Sequence, residues 1–268
     1  MKIRHGFILL VFVAFGINCL SCRKGTDVKV NNVITTQQIA SQIVSSLYDV
    51  LHGNWGSYNI FHPAYPPSNI YRNVSHNTGK LILNSIGDCG FTLDSLVNYS
   101  YPFLGNVTTV TGEIKFSVIC NNTTVTGYNI YDQLNTNVAS PSTPATYTIG
   151  QNLVATLTNP GDSTSFTLNG TINFADAYPA NSLGVPAKNE TDQFNLNGLS
   201  ITVTAVDAEP VNGTVTFTSS GSVSPDKYGG IAAGTWNYTG TITYIGNNKA
   251  NITINGATYT FNVNGTSI

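Results

Sequence analysis

Histidines, cysteines and a few closely spaced carboxylates are the residues of this chain with the chemistry to catalyse a reaction or ligate a metal. His5, His52, His62 and His76 are scattered, and their separations match neither a metal-ligand set nor a nucleophilic triad. Asp88 stands beside Cys89, with Asp94 a few residues on. A thiolate next to an acid could serve redox or acyl chemistry, but only if the thiol stays reduced. Asp207 and Glu209 lie two apart, a spacing that puts two carboxylates on one face of a strand, as glycosidases use them. Pro210 follows at once and turns the segment into a strand-ending loop instead. No constellation for catalysis emerges, and the sequence predicts a non-catalytic protein with no cofactor and no metal.

Cys89 and Cys120 are expected to pair. They would close a loop of about 30 residues, which chain entropy values at roughly 3–4 kcal/mol. Cys120 shares the two-residue rhythm of Ile114, Phe116 and Val118, so it should point toward a core. The rival role is metal ligation, for which no His lies close in sequence.

The other two cysteines sit at the front of the chain. Lys2 and Arg4 precede an apolar run from Phe7 to Ile17, which Asn18-Cys19-Leu20-Ser21-Cys22 ends. This is the order of a secretory signal, and the run is too short to span a bilayer. Leu20-Ser21-Cys22 resembles a bacterial lipobox, with Cys19 where leucine is usual. That resemblance implies cleavage before Cys22 and acylation of its thiol. The expected organisation is residues 1–21 as lipoprotein signal peptide and 22–32 as a tether. Residues 33–78 then form a helix and an aromatic loop packing on a sheet, and 79–268 an antiparallel β-domain.

Composition narrows the possible partners. Charged residues make up only 9% of the chain, against about 25% in ordinary domains, so Asn, Thr, Ser and Gly must keep it soluble. The formal net charge is −2 and no basic run occurs, which excludes electrostatic binding of nucleic acid.

The elements follow from periodicity. Thr35-Thr36-Gln37-Gln38 reads as a capping box. Ile39, Ile43, Leu47 and Leu51 recur every fourth position behind it, Ala40, Val44 and Tyr48 widen the stripe, and Gly53 is a plausible stop. Trp55, Tyr58, Phe61, Tyr65 and Tyr71, interleaved with prolines, form an irregular aromatic segment that could line an apolar ligand site.

From Lys80 the period changes from 3.6 to 2. Strands are read at Val110–Cys120, Phe166–Phe174, Leu199–Ala205, Val211–Phe217 and Trp236–Tyr244. Ile252–Ile254 and Tyr259–Val263 close the chain, joined at Asn255-Gly256, a strong hairpin signal. Residues 136–146, 178–190 and 219–234 read as long loops. A Gly-Thr-Ile-x-Phe-like pattern recurs at Gly112, Gly170, Gly213 and Gly240, where glycine permits a bulge or a close approach as a strand begins. Thr214, Thr216 and Thr218, then Thr239, Thr241 and Thr243, then Asn251, Thr253 and Asn255 make neutral outer faces. Their simplest explanation is threonine's fitness for strands.

The fold class expected is mainly β: an antiparallel β-sandwich or a partly open β-barrel with one N-terminal amphipathic helix. Leu20-Ser21-Cys22, the low charge and the Gly-Thr-Ile-x-Tyr/Phe strands resemble the Asn/Thr-rich β-domain lipoproteins of Bacteroidetes-type cell envelopes. The resemblance implies a protein held at the outer membrane by a lipid anchor, facing the periplasm or the surface. The function expected is a scaffold or partner-binding domain contacting another envelope protein. A module closing a cavity around a lipid or other apolar ligand is the alternative. Carbohydrate binding through Trp236 is poorer, because Trp236 shares the apolar side with Ile242.

Overall fold

Among the described residues Thr35 starts the one helix, α1 (Thr36–Leu51), with the expected reciprocal cap. Its hydroxyl accepts from the Gln38 amide, and the Gln38 side chain accepts from the Thr35 amide at 2.8 Å. The helix ends at His52 with Gly53 at φ 74°, where a glycine carries the reversal without strain. The computed structural model describes residues 33–54, 89–103, 106–140, 144–181, 184–203, 208–225 and 232–268. Helix and sheet belong to a single compact unit, Asn31–Ile268.

Ten strands follow in sequence order: β1 (Thr92–Phe103), β2 (Asn106–Asn121), β3 (Thr124–Ala139), β4 (Ala145–Asn159), β5 (Asp162–Tyr178), β6 (Lys188–Val203), β7 (Ala208–Val223), β8 (Gly234–Gly246), β9 (Lys249–Ile254) and β10 (Ala257–Asn262). Each pairs antiparallel with the next, giving one ten-stranded meander that does not close into a barrel. The hairpin at Asn255-Gly256 forms where expected, and Asn247-Asn248 makes the turn between β8 and β9, all four residues taking positive φ.

One sheet face is buried from end to end. Val110, Ile114 and Phe116 of β2, Ile130 and Leu134 of β3, Ile149 and Leu153 of β4 and Phe194 of β6 all point to it. A flat sheet could not hide this face under one helix. The contacts of α1 show how it is hidden. At its C-terminal end Gln151 of β4 donates to the Val50 carbonyl at 3.3 Å. On its other side Ser41 and Ser45 donate to the carbonyls of Gly265 and Asn264, just past β10. In a flat sheet β4 and β10 would stand about 29 Å apart, and a helix is only about 10–12 Å across. The sheet therefore curls around α1, whose Ile43, Val44, Leu47 and Val50 are fully buried in the trough. Each such side chain contributes about 1.5–3 kcal/mol.

The recurring glycines enable the curl. Gly112, Gly170, Gly213 and Gly240 lie inside strands, not at their starts as expected, and all four belong to the buried face. A Cβ on Gly112 would lie 2.0 Å from the Gln133 carbonyl oxygen, and one on Gly170 would lie 2.1 Å from that of Asn152. Both have φ beyond +130°, so close cross-strand approach and backbone conformation demand glycine together.

Strands are longer than the sequence suggests. β1, β3, β4 and the first half of β6 lie outside the expected strands, although β4 alternates Tyr147, Ile149, Leu153, Ala155 and Leu157 with mostly polar outward positions. The supposed loop 178–190 shrinks to 179–187, because Tyr178 ends β5 and Lys188 opens β6. Likewise 136–146 shrinks to 140–144, and the turn between β7 and β8 starts only after Val223. The cause in β6 is specific. Its inward positions begin Lys188, Glu190, Asp192, and charged residues there hide a period that Phe194 and Leu196 continue.

Candidate functional site

The charged residues that conceal the start of β6 are the chemical centre of the molecule. Asp176 of β5 is the cross-strand partner of Glu190, and Tyr178 that of Lys188. Period two then turns Asp176, Tyr178, Lys188, Glu190 and Asp192 to the inner face together. Lys188 Nζ sits 2.9 Å from Asp176 Oδ2 and 2.6 Å from Glu190 Oε2. The same ammonium lies 5.9 Å from the centroid of the Tyr178 ring. Exposure of the four charged residues ranges from 9% at Lys188 to 0% at Asp192.

Burial sets the electrostatics. It pulls the Lys188 ammonium down, but the Glu190 and Asp176 carboxylates outweigh it and hold the group above the ordinary lysine value. Asp176 is raised by burial, with Lys188 opposing. For Asp192, burial and then the Glu190 charge push the carboxyl up to about 8, so it carries its proton at neutral pH. Tyr147 of β4, cross-strand from Asp176, is pushed up to about 12 by burial and by the Asp176 charge.

Asp192 has no hydrogen-bond partner in direct geometry. The Ser219 hydroxyl of β7 lies beside it and lowers its pKa, and Ser219 Oγ accepts from Trp236 Nε1 of β8 at 3.0 Å. A chain of polar groups thus runs across β5 to β8. Among the described residues the site holds two adjacent carboxylates gripping one ammonium, and a hydroxyl with no histidine beside it. Carboxylates exposed by 8% or less offer a sugar or peptide no approach. The geometry gives the cluster the work of pinning the ends of β5 and β6. Among the described residues no group of three or more His, Cys, Asp or Glu is arranged to hold a metal ion.

The residues singled out from sequence fall elsewhere. Cys89 and Cys120 form a disulfide, with Cα atoms 5.8 Å apart. Cys22 and the aromatic set Trp55, Tyr58, Phe61, Tyr65 and Tyr71 lie outside the described residues, as do His62, His76, Asp88 and Asp207. His52 caps α1, its Nδ1 lying 2.7 Å from the Tyr48 carbonyl oxygen. Glu209 sits near the start of β7. Trp236 is buried, as the strand face it shares with Ile242 suggests, so its ring is closed to a glycan. The sequence reading missed Asp176, Lys188, Glu190 and Asp192. The signal was present as Lys188-x-Glu190-x-Asp192-x-Phe194-x-Leu196, a strand period written first in charges.

Compared with known protein families, with curated proteins and with solved structures, the chain matches none of them.

Proposed function

We propose that this chain is a non-catalytic β-domain of the bacterial cell envelope, lipid-anchored through Cys22 and serving as a scaffold or partner-binding module. The observation that carries the reading is the filled trough. Side chains of α1 occupy the interior that a carrier of lipid would keep open, and the concentrated charge is sealed and committed to ion pairs. What remains for contact is the outer face, where neutral ladders lie in register. Thr216, Thr241, Thr253 and Thr258 run straight across β7 to β10. The Cys89–Cys120 disulfide supports an oxidising compartment, and the lipobox-like Leu20-Ser21-Cys22 supports anchoring. More than one acyl chain is needed for stable attachment.

The test is mass spectrometry of the full chain extracted from bacterial membranes. The reading expects an N-terminal Cys22 carrying acyl groups, no co-purifying lipid in the native spectrum, and loss of membrane attachment in Cys22→Ala. A free Cys22, or one stoichiometric lipid retained inside the fold, would overturn it.

A further inference from the structure

The two strand segments that hold the buried ion cluster carry something different on their other side. Between inward Asp176 and Tyr178 stands Ala177, and between inward Lys188 and Glu190 stands Asn189. Along one level of the outer face run Asn137 of β3, Thr146 of β4, Ala177 of β5 and Asn189 of β6, each the cross-strand partner of the next. Ala177 is the small member of this row, and beside it opens a depression of about 310 Å³ lined also by Pro144, Pro179 and Ala187. That volume lies at the lower end of the range for small-molecule sites.

We propose that this depression is a binding site for a neutral saccharide of one or two rings. Among the described residues its lining contains no ionised side chain, which leaves a phosphate, carboxylate or ammonium ligand without a counter-charge there. It lies on four interior strands whose backbone groups are already paired to neighbours, so an extended peptide could not add to the sheet there. Its apolar lining is mainly alanines and prolines, too shallow and open for an acyl chain. A pyranose presents C–H patches flanked by hydroxyls, and the row offers the matching order. Ala177 and the prolines lie in the middle, and exposed amides at Asn137 and Asn189 each present donors and acceptors. Those amides stand three strand spacings apart, about 14 Å, a span that suits two linked rings. The Thr146 hydroxyl donates to the Ala177 carbonyl at 3.4 Å and keeps its lone pairs for an incoming hydroxyl.

Behind the floor, Lys188 clamped by Asp176 and Glu190 fixes the backbone that sets the row and holds the Tyr178 ring. The buried cluster is thus the positioning layer of the outer site. This assignment stands independently of the lipid anchor, and its test is separate from that one.

The experiment is titration of the full-length, detergent-solubilised chain with cellobiose, maltose and N,N′-diacetylchitobiose, read by calorimetry and ligand-observed NMR. At least one disaccharide is expected to bind saturably. Ala177→Val, which fills the depression with a good strand former, and Asn189→Ala, an exposed substitution, should each weaken it about tenfold or more. Thr156→Val, on the outer face of β4 far from the row, should leave affinity unchanged. Absence of saturable binding by all three disaccharides overturns the proposal, as does equal affinity in Ala177→Val and Asn189→Ala with their melting transitions intact.

Discussion

Gln151 of β4 donates from Nε2 to the carbonyl oxygen of Val50, 3.3 Å away in the last turn of α1. The bond ties the middle of the sheet to a helix whose other flank touches the turn after β10. It marks α1 as the axle around which the sheet curls, and it separates two contributions to stability. Leu47→Ala removes a fully buried side chain from the trough and should cost about 2–5 kcal/mol. Gln151→Leu deletes one hydrogen bond but also removes Oε1, a buried oxygen without a partner, so its cost should stay near 1 kcal/mol or less. Urea denaturation of both variants checks the order. Equal losses would mean that the helix is an accessory and not part of the core.

Asp192 makes stability depend on pH in a definite direction. Its carboxyl titrates at about 8 in the fold and near 3.8 when unfolded. Between those values the native state holds a proton that the unfolded chain releases, so stability falls as pH rises. The slope is at most about 1.4 kcal/mol per pH unit for this one group, and it vanishes above the folded value. Asp176, also raised by burial, adds the same sign. Lys188, held above its usual 10.5, keeps its contribution throughout that window and loses it only in strong alkali. Unfolding free energies measured from about pH 5 to pH 8 should therefore decline for the natural chain and decline less for Asp192→Asn. Parallel curves for the two proteins would falsify the assignment.

Lys188 answers two carboxylates at once, so removing it should be far worse than removing the whole cluster. Lys188→Met leaves Asp176 and Glu190 buried against each other without a cation, a loss of about 3–5 kcal/mol. Combining it with Asp176→Asn and Glu190→Gln should recover most of that loss, because no uncompensated charge remains. Thermal melts of the single and triple variants read this directly, and a triple variant no more stable than Lys188→Met would contradict it.

Legibility in the sequence followed the chemistry of the inward positions. The capping box of α1, the Asn255-Gly256 hairpin, the disulfide and the alternation of β2, β5, β8 and β9 were open to reading, because their inner faces are aliphatic or aromatic. The start of β6 was not. Lys188, Glu190 and Asp192 occupy core positions there, and a search for apolar alternation reads them as a solvated loop. β3 hid for a related reason, since Asp132 and Thr136 interrupt Ile130 and Leu134 on its buried face. The outer depression was illegible in principle. Asn137, Thr146, Ala177 and Asn189 are far apart in the chain, and only strand register sets them in a row. The glycines were noticed as a pattern, but their place at mid-strand depends on neighbours that the pattern does not name.

Those glycines yield the sharpest steric prediction. Gly170 sits on the buried face of β5 at φ 133°, and any Cβ there would meet the Asn152 carbonyl oxygen at 2.1 Å and the Leu153 Cα at 2.9 Å. Both obstacles are backbone of β4, so no side chain can swing aside to make room. The same reasoning holds at Gly112 against Gln133. Gly198, which also takes positive φ at 67°, has open space around its missing Cβ. Gly198→Ala should therefore cost only the left-handed backbone penalty, about 1–2 kcal/mol. Gly170→Ala must push β4 and β5 apart in the middle of a curled sheet, and its loss should exceed 3 kcal/mol, roughly the point at which single substitutions become exceptional. Chemical denaturation of the pair compares a left-handed glycine whose missing Cβ faces open space with one at φ 133° whose Cβ would meet β4, so the excess loss at Gly170 reports close strand approach together with a glycine-only backbone. If Gly170→Ala were as mild as Gly198→Ala, the sheet would not be bent as tightly around α1 as these contacts require.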